Sequence, residues 1–295
     1  MVVLVTGGSG FIGSHVVDAL LENGLEVRVF DKIKPMKAGV DWVDGDLLSK
    51  DDIYRGVQDV DTVFHLAAVA DVNVATTDPE LCLTVNELGT LNLLSACSGH
   101  EVERFILAST VWVYGRAVGT VTEETMLPPP NDVYTKTKIG QEHLVHSWAL
   151  SHSLPYTILR YDIPYGPRMR GNMAIAAFVR RAMHKNPITI YGDGQQGRCW
   201  IYVTDLAEAH RLAMKQEAIN QTINLAGSDF VTIAEIVHRL STLLGDFPVK
   251  HEPPRSGDFA GVRTSIEKAR KVIEWSPVTS FDKGLSLYIR SVRGS

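Results

Sequence analysis

The sequence predicts an α/β fold: a doubly wound parallel sheet covered by helices, with a smaller, interleaved α/β lobe in the C-terminal part. Three observations carry this. Short β-branched runs alternate with amphipathic stretches through the first half, the pattern of a parallel sheet with a helix in each crossover. A glycine-rich turn, Gly7 to Gly13, stands between the first run and the first amphipathic stretch. After Pro164 the alternation loosens into helix-rich segments separated by loops of Gly, Pro and charge.

Residues 2–5, 26–30, 41–43, 62–66, 104–108 and 156–159 read as strands, rich in Val, Ile, Phe and Tyr at short spacing. Helices are expected at 11–22, 51–57, 79–98 and 132–152, with Gly24 and Gly99 as C-terminal stops. In the second half, 187–191 and 223–225 read as strands, and 204–215, 232–244, 265–274 and 281–292 as helices. Thr232-Ile233-Ala234-Glu235 spells a capping box, a hydroxyl and a carboxylate three apart that satisfy each other's backbone N–H groups.

The chain of 295 residues, 45% hydrophobic and 21% charged, is long enough for a large core. A net charge of −5 without basic runs argues against nucleic acid as a partner. No apolar run is long enough to span a bilayer, and the first strand is not preceded by a basic, apolar leader. Cys82, Cys97 and Cys199 are few and odd in number, which suits reduced thiols. A cytoplasmic protein is therefore expected. No metal-ligand spacing stands out, and His143 with His146 reads as a solvated or subunit-contact face.

Gly7, Gly8, Gly10 and Gly13 fit both G-x-G-x-x-G and G-x-x-G-x-x-G, between a predicted strand and a predicted helix. There a backbone can approach a pyrophosphate and a helix N-terminus can face its charge, the arrangement of a Rossmann-type dinucleotide site. Asp31 ends the second strand 18 positions after Gly13, near the usual spacing of about 20. A carboxylate there accepts from ribose hydroxyls and repels a 2′-phosphate, which favours NAD over NADP. Lys32 and Lys34 read as loop charges beside it. Further on, Tyr134 and Lys138 lie four apart on one helix face. An ammonium can lower the pKa of a phenol that otherwise titrates near 10.

These motifs, in order, resemble the extended short-chain dehydrogenase/reductase family, in its NAD-dependent nucleotide-sugar epimerase and dehydratase branch. The resemblance runs over nearly the whole chain. It rests on Thr6 to Gly13, Gly45-Asp46-Leu47, His65-Leu66-Ala67-Ala68, Asn86 with Gly89-Thr90, and Ser109-Thr110 leading to Val113-Tyr114-Gly115. It continues through Tyr134 and Lys138, Leu159-Arg160-Tyr161, Tyr165-Gly166-Pro167-Arg168, Gly192-Asp193-Gly194, and Arg198 leading to Val203-Thr204-Asp205. It ends with Arg255-Ser256-Gly257-Asp258 and Trp275-Ser276-Pro277.

The resemblance implies an NAD-binding domain of residues 1–165 with about 200–222, and a nucleotide-sugar lobe of 166–199 and 223–295. It assigns Gly7, Gly10, Phe11, Ile12, Gly13, Asp31 and Lys32 to the cofactor. Asp46 and Leu47 would meet the adenine, and Leu66, Ala67 and Ala68 would line the channel. Asn86 and Ser109 would sit near its active-site end, with Tyr161 through Ile163 passing the nicotinamide. Lys138 would hold the nicotinamide ribose, Thr110 would orient the sugar oxygen, and Tyr134 would exchange its proton. Arg198, Arg255 and Asp258 would bind the substrate, the two guanidiniums gripping a diphosphate. A homodimer through a four-helix interface built from 79–98 and 132–152 is implied too, with Leu91, Leu94, Leu144 and Trp148 serving either it or the core.

The activity implied is a 4-epimerase acting on a nucleotide sugar, most simply a UDP-sugar such as UDP-glucose or UDP-galactose. Transient oxidation would give a 4-keto sugar, and hydride would return to its opposite face. A dehydratase or decarboxylase of this branch needs an acidic residue after the threonine, where this chain has Val111 and Trp112. A nucleotide-sugar dehydratase or reductase is the alternative, and a non-catalytic NAD-binding module is disfavoured because Thr110, Tyr134 and Lys138 are all present. Three departures from the branch bear on the sugar. Asp162-Ile163-Pro164 lacks the usual asparagine, Cys199-Trp200 replaces an acidic-aromatic pair, and the chain is short.

Overall fold

The computed structural model describes residues 1–254 and 260–294. Seven strands form its central sheet: β1 (Val2–Thr6), β2 (Glu26–Asp31), β3 (Asp41–Asp44), β4 (Thr62–His65), β5 (Arg104–Thr110), β6 (Tyr156–Tyr161) and β7 (Gln221–Leu225). Their spatial order is β3-β2-β1-β4-β5-β6-β7, with every pair parallel. The order reverses between β1 and β4. In such sheets the crevice at the reversal, outside the carboxyl ends of the strands, is where ligands sit. The central strands β4 and β5 are buried at every residue, as strands covered on both faces must be.

The helices are α1 (Phe11–Glu22), α2 (Lys50–Val57), α3 (Val72–Thr77), α4 (Pro79–Leu83), α5 (Gly89–Gly99), α6 (Val133–His152), α7 (Ala174–Met183), α8 (Val203–Leu212), α9 (Ile233–Leu244), α10 (Glu267–Val272) and α11 (Phe281–Arg293). One face of the sheet is covered by α1, α8 and α10, whose Val16, Leu20, Leu206 and Ala269 join one core. The other face is covered by α2, α5 and α6 through Ile53, Leu93, Leu94 and Val145. The second lobe has its own core, where Ile175, Val179, Trp200, Ile236, Leu240 and Phe281 meet. Paired two- and four-residue strands tie this lobe together, among them Ile188–Tyr191 with Val249–Glu252.

Several boundaries differ from the sequence reading for identifiable reasons. The helix expected over 79–98 contains a π turn at Thr84–Leu88, so α4 and α5 form one rod with a widened turn. Gly99 is the last residue of α5 rather than its stop; His100 caps it, and Glu101 takes the positive φ of 56°. Gly24 follows α1 with a φ of 76°, as expected of a C-terminal glycine. The division expected between 222 and 223 falls inside β7, which pairs with β6 as the sheet's outer strand. Behind it, Ala269 of α10 and Ile273 just after it pack onto the same core. The capping box forms as read: Thr232 Oγ1 accepts from the Glu235 N–H and the Glu235 carboxylate accepts from the Thr232 N–H. The helix α7 carries no strong start signal in the sequence; Met173 caps it without a side-chain bond.

One buried ion pair locks α6 to the sheet. Arg160 on β6 donates to Glu142 on α6 from Nε (2.9 Å) and Nη2 (2.6 Å), and Ser109 on β5 donates to the same carboxylate. Arg160 also donates to the Tyr114 hydroxyl at 3.1 Å. Glu142→Ala would leave a guanidinium buried without its anion, which costs about 3–5 kcal/mol. Equilibrium denaturation should show that loss, with much of it restored in the Glu142→Leu/Arg160→Met double variant.

Candidate active site

A cleft of about 660 Å3 opens along the carboxyl ends of β1, β2, β4, β5 and β6. At one end β1 gives way to Gly7, whose φ is 71° and where a Cβ would stand 2.8 Å from the Ala67 nitrogen. At Gly13 a Cβ would fall 2.1 Å from the Gly7 carbonyl oxygen, so only glycine lets α1 start this close to the strand. Gly10 caps α1 with no side-chain acceptor. The first N–H groups of α1, at Phe11, Ile12 and Gly13, thus border the cleft with a helix N-terminus towards it. That cradle fits the pyrophosphate of a dinucleotide.

Asp31 at the end of β2 accepts from the Ser9 N–H and the Ile33 N–H, both at 3.0 Å, which fixes its carboxylate on the cleft wall. Lys32 pairs with Asp46 at 2.7 Å on the same wall. Burial raises the Asp46 carboxyl, but the bonds from Lys32 and the Leu48 N–H outweigh it and hold the group below its ordinary value. Leu47 lies beside this pair, and Leu66, Ala67 and Ala68 form the middle of the cleft.

At the other end stand Ser109, Thr110, Tyr134, Lys138, Tyr161 and Ile163. Register puts Thr110 directly beside Tyr161 across β5 and β6. Asp132 caps α6 by accepting from the Thr135 N–H at 2.8 Å, so Tyr134 and Lys138 occupy its first turns. Burial, with the nearby charges of Asp132 and Cys82, pushes the Tyr134 phenol well above its ordinary value; the Thr110 hydroxyl and the Arg170 charge act the other way. Lys138 Nζ donates to Ala108 O at 3.0 Å and to Gln141 Oε1 at 2.8 Å. Burial lowers this lysine to about 8, against the neighbouring charge of Glu142. The ammonium is therefore held by protein oxygens rather than by the phenol, a finer arrangement than the four-residue spacing suggests.

Two expected residues lie elsewhere. Asn86 does not line the cleft: it sits in the π turn, fully buried, accepting from the Val69 N–H and donating to Val69 O and Thr137 Oγ1. It anchors the cleft wall from behind. Arg198 lies in the strand Gly197–Arg198, which pairs with Val231–Thr232 in the second lobe, and is not among the residues lining the cleft. Arg255 and Asp258 fall outside the described residues. Trp200, in the pair that departs from the branch pattern, is a core residue whose Nε1 donates to Val231 O.

Three further residues line the cleft. Trp112 lines it from the turn after Thr110. Arg170 lines it two positions beyond Gly166-Pro167-Arg168, and its guanidinium stands 4.0 Å from Asp71. Asp162 lines the floor, yet its carboxylate accepts from the Ile163 N–H, the Thr264 hydroxyl and the Cys199 N–H. Burial raises Asp162 to about 6 despite those bonds and the Arg198 charge. Among the described residues no cluster of metal-ligating side chains is present, and no helix is long and apolar enough to cross a membrane.

A 3-2-1-4-5-6 sheet with a glycine cradle at its reversal, and a tyrosine and lysine across the cleft, defines a dinucleotide-dependent enzyme of the Rossmann class. The model of the NAD dependent epimerase/dehydratase family matches residues 3–226. The chain belongs to this family, and its cofactor is NAD. An uncharacterized UDP-glucose epimerase of Bacillus subtilis is 30% identical over 97% of this chain and 96% of its own length. The Thermus thermophilus UDP-glucose 4-epimerase in complex with NAD is 35% identical, with a TM-score of 0.93 over all of both chains. The Bacillus cereus UDP-glucuronic acid 4-epimerase with UDP-glucuronic acid and NAD is 32% identical, with a TM-score of 0.93 over 100% of this chain and 99% of that one. Relatives of similar identity include a decarboxylase and a 4,6-dehydratase of nucleotide sugars.

Two buried histidines make the fold acid-sensitive. Burial and the Lys138 charge lower His65 to about 3, and burial lowers His210 to about 4. The unfolded chain takes up these protons below about 6.5 while the folded chain does not, so their stability is whole above that pH and is lost as pH falls. Asp162, raised, has the opposite sign between its ordinary value and about 6. His210 alone should cost on the order of 2 kcal/mol at pH 5. In urea melts between pH 7 and pH 5 (about the window that matters), His210→Phe should lose less stability than the parent.

Proposed function

We propose that the chain is a UDP-sugar 4-epimerase. The observation that carries this reading is the charge inventory of the cleft. Among the described residues lining it the carboxylates are Asp31, Asp46 and Asp162. The first two are bound at the glycine-cradle end, and the third is turned to Thr264 and Cys199. Val111 and Trp112 follow Thr110, so among the described residues the reactive end offers hydroxyls and cations but no free acid for an elimination. Inversion at one carbon needs none.

Bound NAD supplies reversible hydride acceptance, so no reductant is consumed. Tyr134, as phenolate, removes the proton of the C4 hydroxyl and returns one to that oxygen after the keto sugar has presented its other face. Thr110 orients the oxygen in both directions. The high affinity of the buried phenol for its proton means that this base forms only when positive charge collects around it, chiefly from Lys138 and the cationic nicotinamide ring, with a small part from Arg170. The relatives whose names state 4-epimerisation of UDP-sugars support the same reading.

Arg170 favours a second reading of the sugar. It is the cleft's cation nearest the second lobe, it acts electrostatically on Tyr134, and it is half exposed. A guanidinium there suits a substrate whose C6 is a carboxylate, as in the UDP-glucuronic acid of the Bacillus cereus relative. A cytoplasmic homodimer goes with this proposal: Leu88 and Leu150, on the α4–α5 rod and α6, remain exposed at 47% and 89%, whereas Leu94 is core.

Incubation with UDP-glucose and UDP-glucuronic acid without added reductant should give C4-inverted products by NMR with NAD unchanged overall. Release of water or carbon dioxide would overturn the epimerase reading. Tyr134→Phe should lower kcat about 100- to 10,000-fold, the range of a lost proton-transfer group. Arg170→Met should lower kcat/KM about 10- to 100-fold for the uronic acid substrate and much less for the neutral one. Equal losses on both would remove the acid-sugar reading.

A further inference from the structure

The ammonium of Lys138 is the end of a buried hydrogen-bond relay whose directions the chemistry fixes. Thr90 Oγ1 donates to Asn86 O at 2.5 Å, so it must accept from its two other neighbours, Gln141 Nε2 at 2.6 Å and His65 Nε2 at 2.8 Å. A neutral His65 protonated on Nε2 then accepts at Nδ1 from the Thr6 hydroxyl at 2.8 Å. Thr6 Oγ1 in turn accepts from the Ala67 N–H at 3.2 Å, on the cleft wall. Because the Gln141 amide nitrogen is given to Thr90, its oxygen faces Lys138, the only orientation an ammonium permits. Thr6, His65, Thr90 and Gln141 are each at most 1% exposed, so no water can substitute for a lost partner.

We propose that Gln141 is a positioning residue of the reaction: its amide ties the Lys138 ammonium to the Thr90–His65–Thr6 relay and aims the remaining N–H into the cleft. Lys138 has three N–H groups. Ala108 O and Gln141 Oε1 take two, which leaves one for a hydroxyl of whatever lies against Tyr134. Without Gln141 the ammonium is free to turn and is anchored by a single carbonyl. The charged and titratable groups facing Lys138 are Glu142 on its own helix, Cys82 from α4 and His65 from β4. Glu142 is already neutralised by Arg160, and His65 is neutral in the relay, so the Gln141 oxygen is the acceptor that holds the cation in place. The proposal rests on reading Lys138 as the partner of Tyr134.

The test reads the lysine itself. Trace acylation of Lys138 as a function of pH, followed by peptide mass spectrometry, gives its titration midpoint without any turnover. The parent should titrate near about 8. Gln141→Met, which keeps the volume and removes the acceptor, should move the midpoint down by about one unit. Gln141→Glu, which adds an anion, should move it up by a similar amount, and the alkaline limb of the pH–rate profile should follow in both. Thermal melts identify a variant that fails to fold, and either variant alone decides the matter. Midpoints that coincide with the parent's in a folded variant would overturn the proposal. Midpoints that move as stated in a protein inactive on every UDP-sugar would leave the positioning role standing and remove the epimerase reading.

Discussion

The placement of Glu142 against Arg160 governs the site. Tyr134 and Lys138 ride on α6, whereas Thr110 ends β5 and Tyr161 ends β6, so the proposed chemistry requires one helix to keep its height and rotation over two strands. Apolar packing alone, through Val145, leaves such a helix free to slide by fractions of a turn. A bidentate ion pair does not, because its planar geometry tolerates little shift. The pair is buried and so costs desolvation. Ser109 and the Tyr114 hydroxyl, itself donating to Asn224 on β7 at 2.7 Å, satisfy what the two charges leave over. Three strands and α6 are thereby pinned at one point, two turns from Tyr134.

Around that point the fold places charges unevenly. The glycine-cradle end carries two carboxylates fixed by backbone N–H groups and a lysine. The opposite end carries a phenol, a hydroxyl, a lysine lowered by burial and an arginine. A low-dielectric pocket with cations and neutral donors favours an oxygen that is gaining negative charge. The same burial keeps His65 neutral, so the relay behind Lys138 adds no competing positive charge.

Much of this was legible in the residues. The glycines and Asp31 were readable because the physics that demands them is local: a turn, a close approach, a strand boundary. The strands read as 104–108 and 156–159 each run two residues further, to Thr110 and Tyr161, two positions that only the resemblance had marked. Tyr134 and Lys138 were readable as helix neighbours, but which oxygens the ammonium chooses was not, since Ala108 lies 30 positions away. Asn86 sits in a π turn that is invisible in the pattern, and it holds the cleft wall through Val69 rather than lining the cleft itself. The short strands of the second lobe leave almost no periodic signal. The strand ending at Leu225 was read correctly as a strand yet given to the other lobe, because the sequence does not say which edge it joins. Arg170 carries no motif; its importance comes from what the two lobes bring together.

That outer strand has a consequence for how the molecule is made. Pairing with β6 alone, Gln221–Leu225 leaves the ribosome roughly 60 residues after its partner. At about 5–20 residues per second, the nascent sheet exposes the open edge of β6 for roughly 3–12 s. That edge is Tyr156–Tyr161, an apolar, β-branched and aromatic segment able to pair with another chain. The hazard in producing this protein therefore lies in a brief interval of synthesis, before the last strand arrives to cover it.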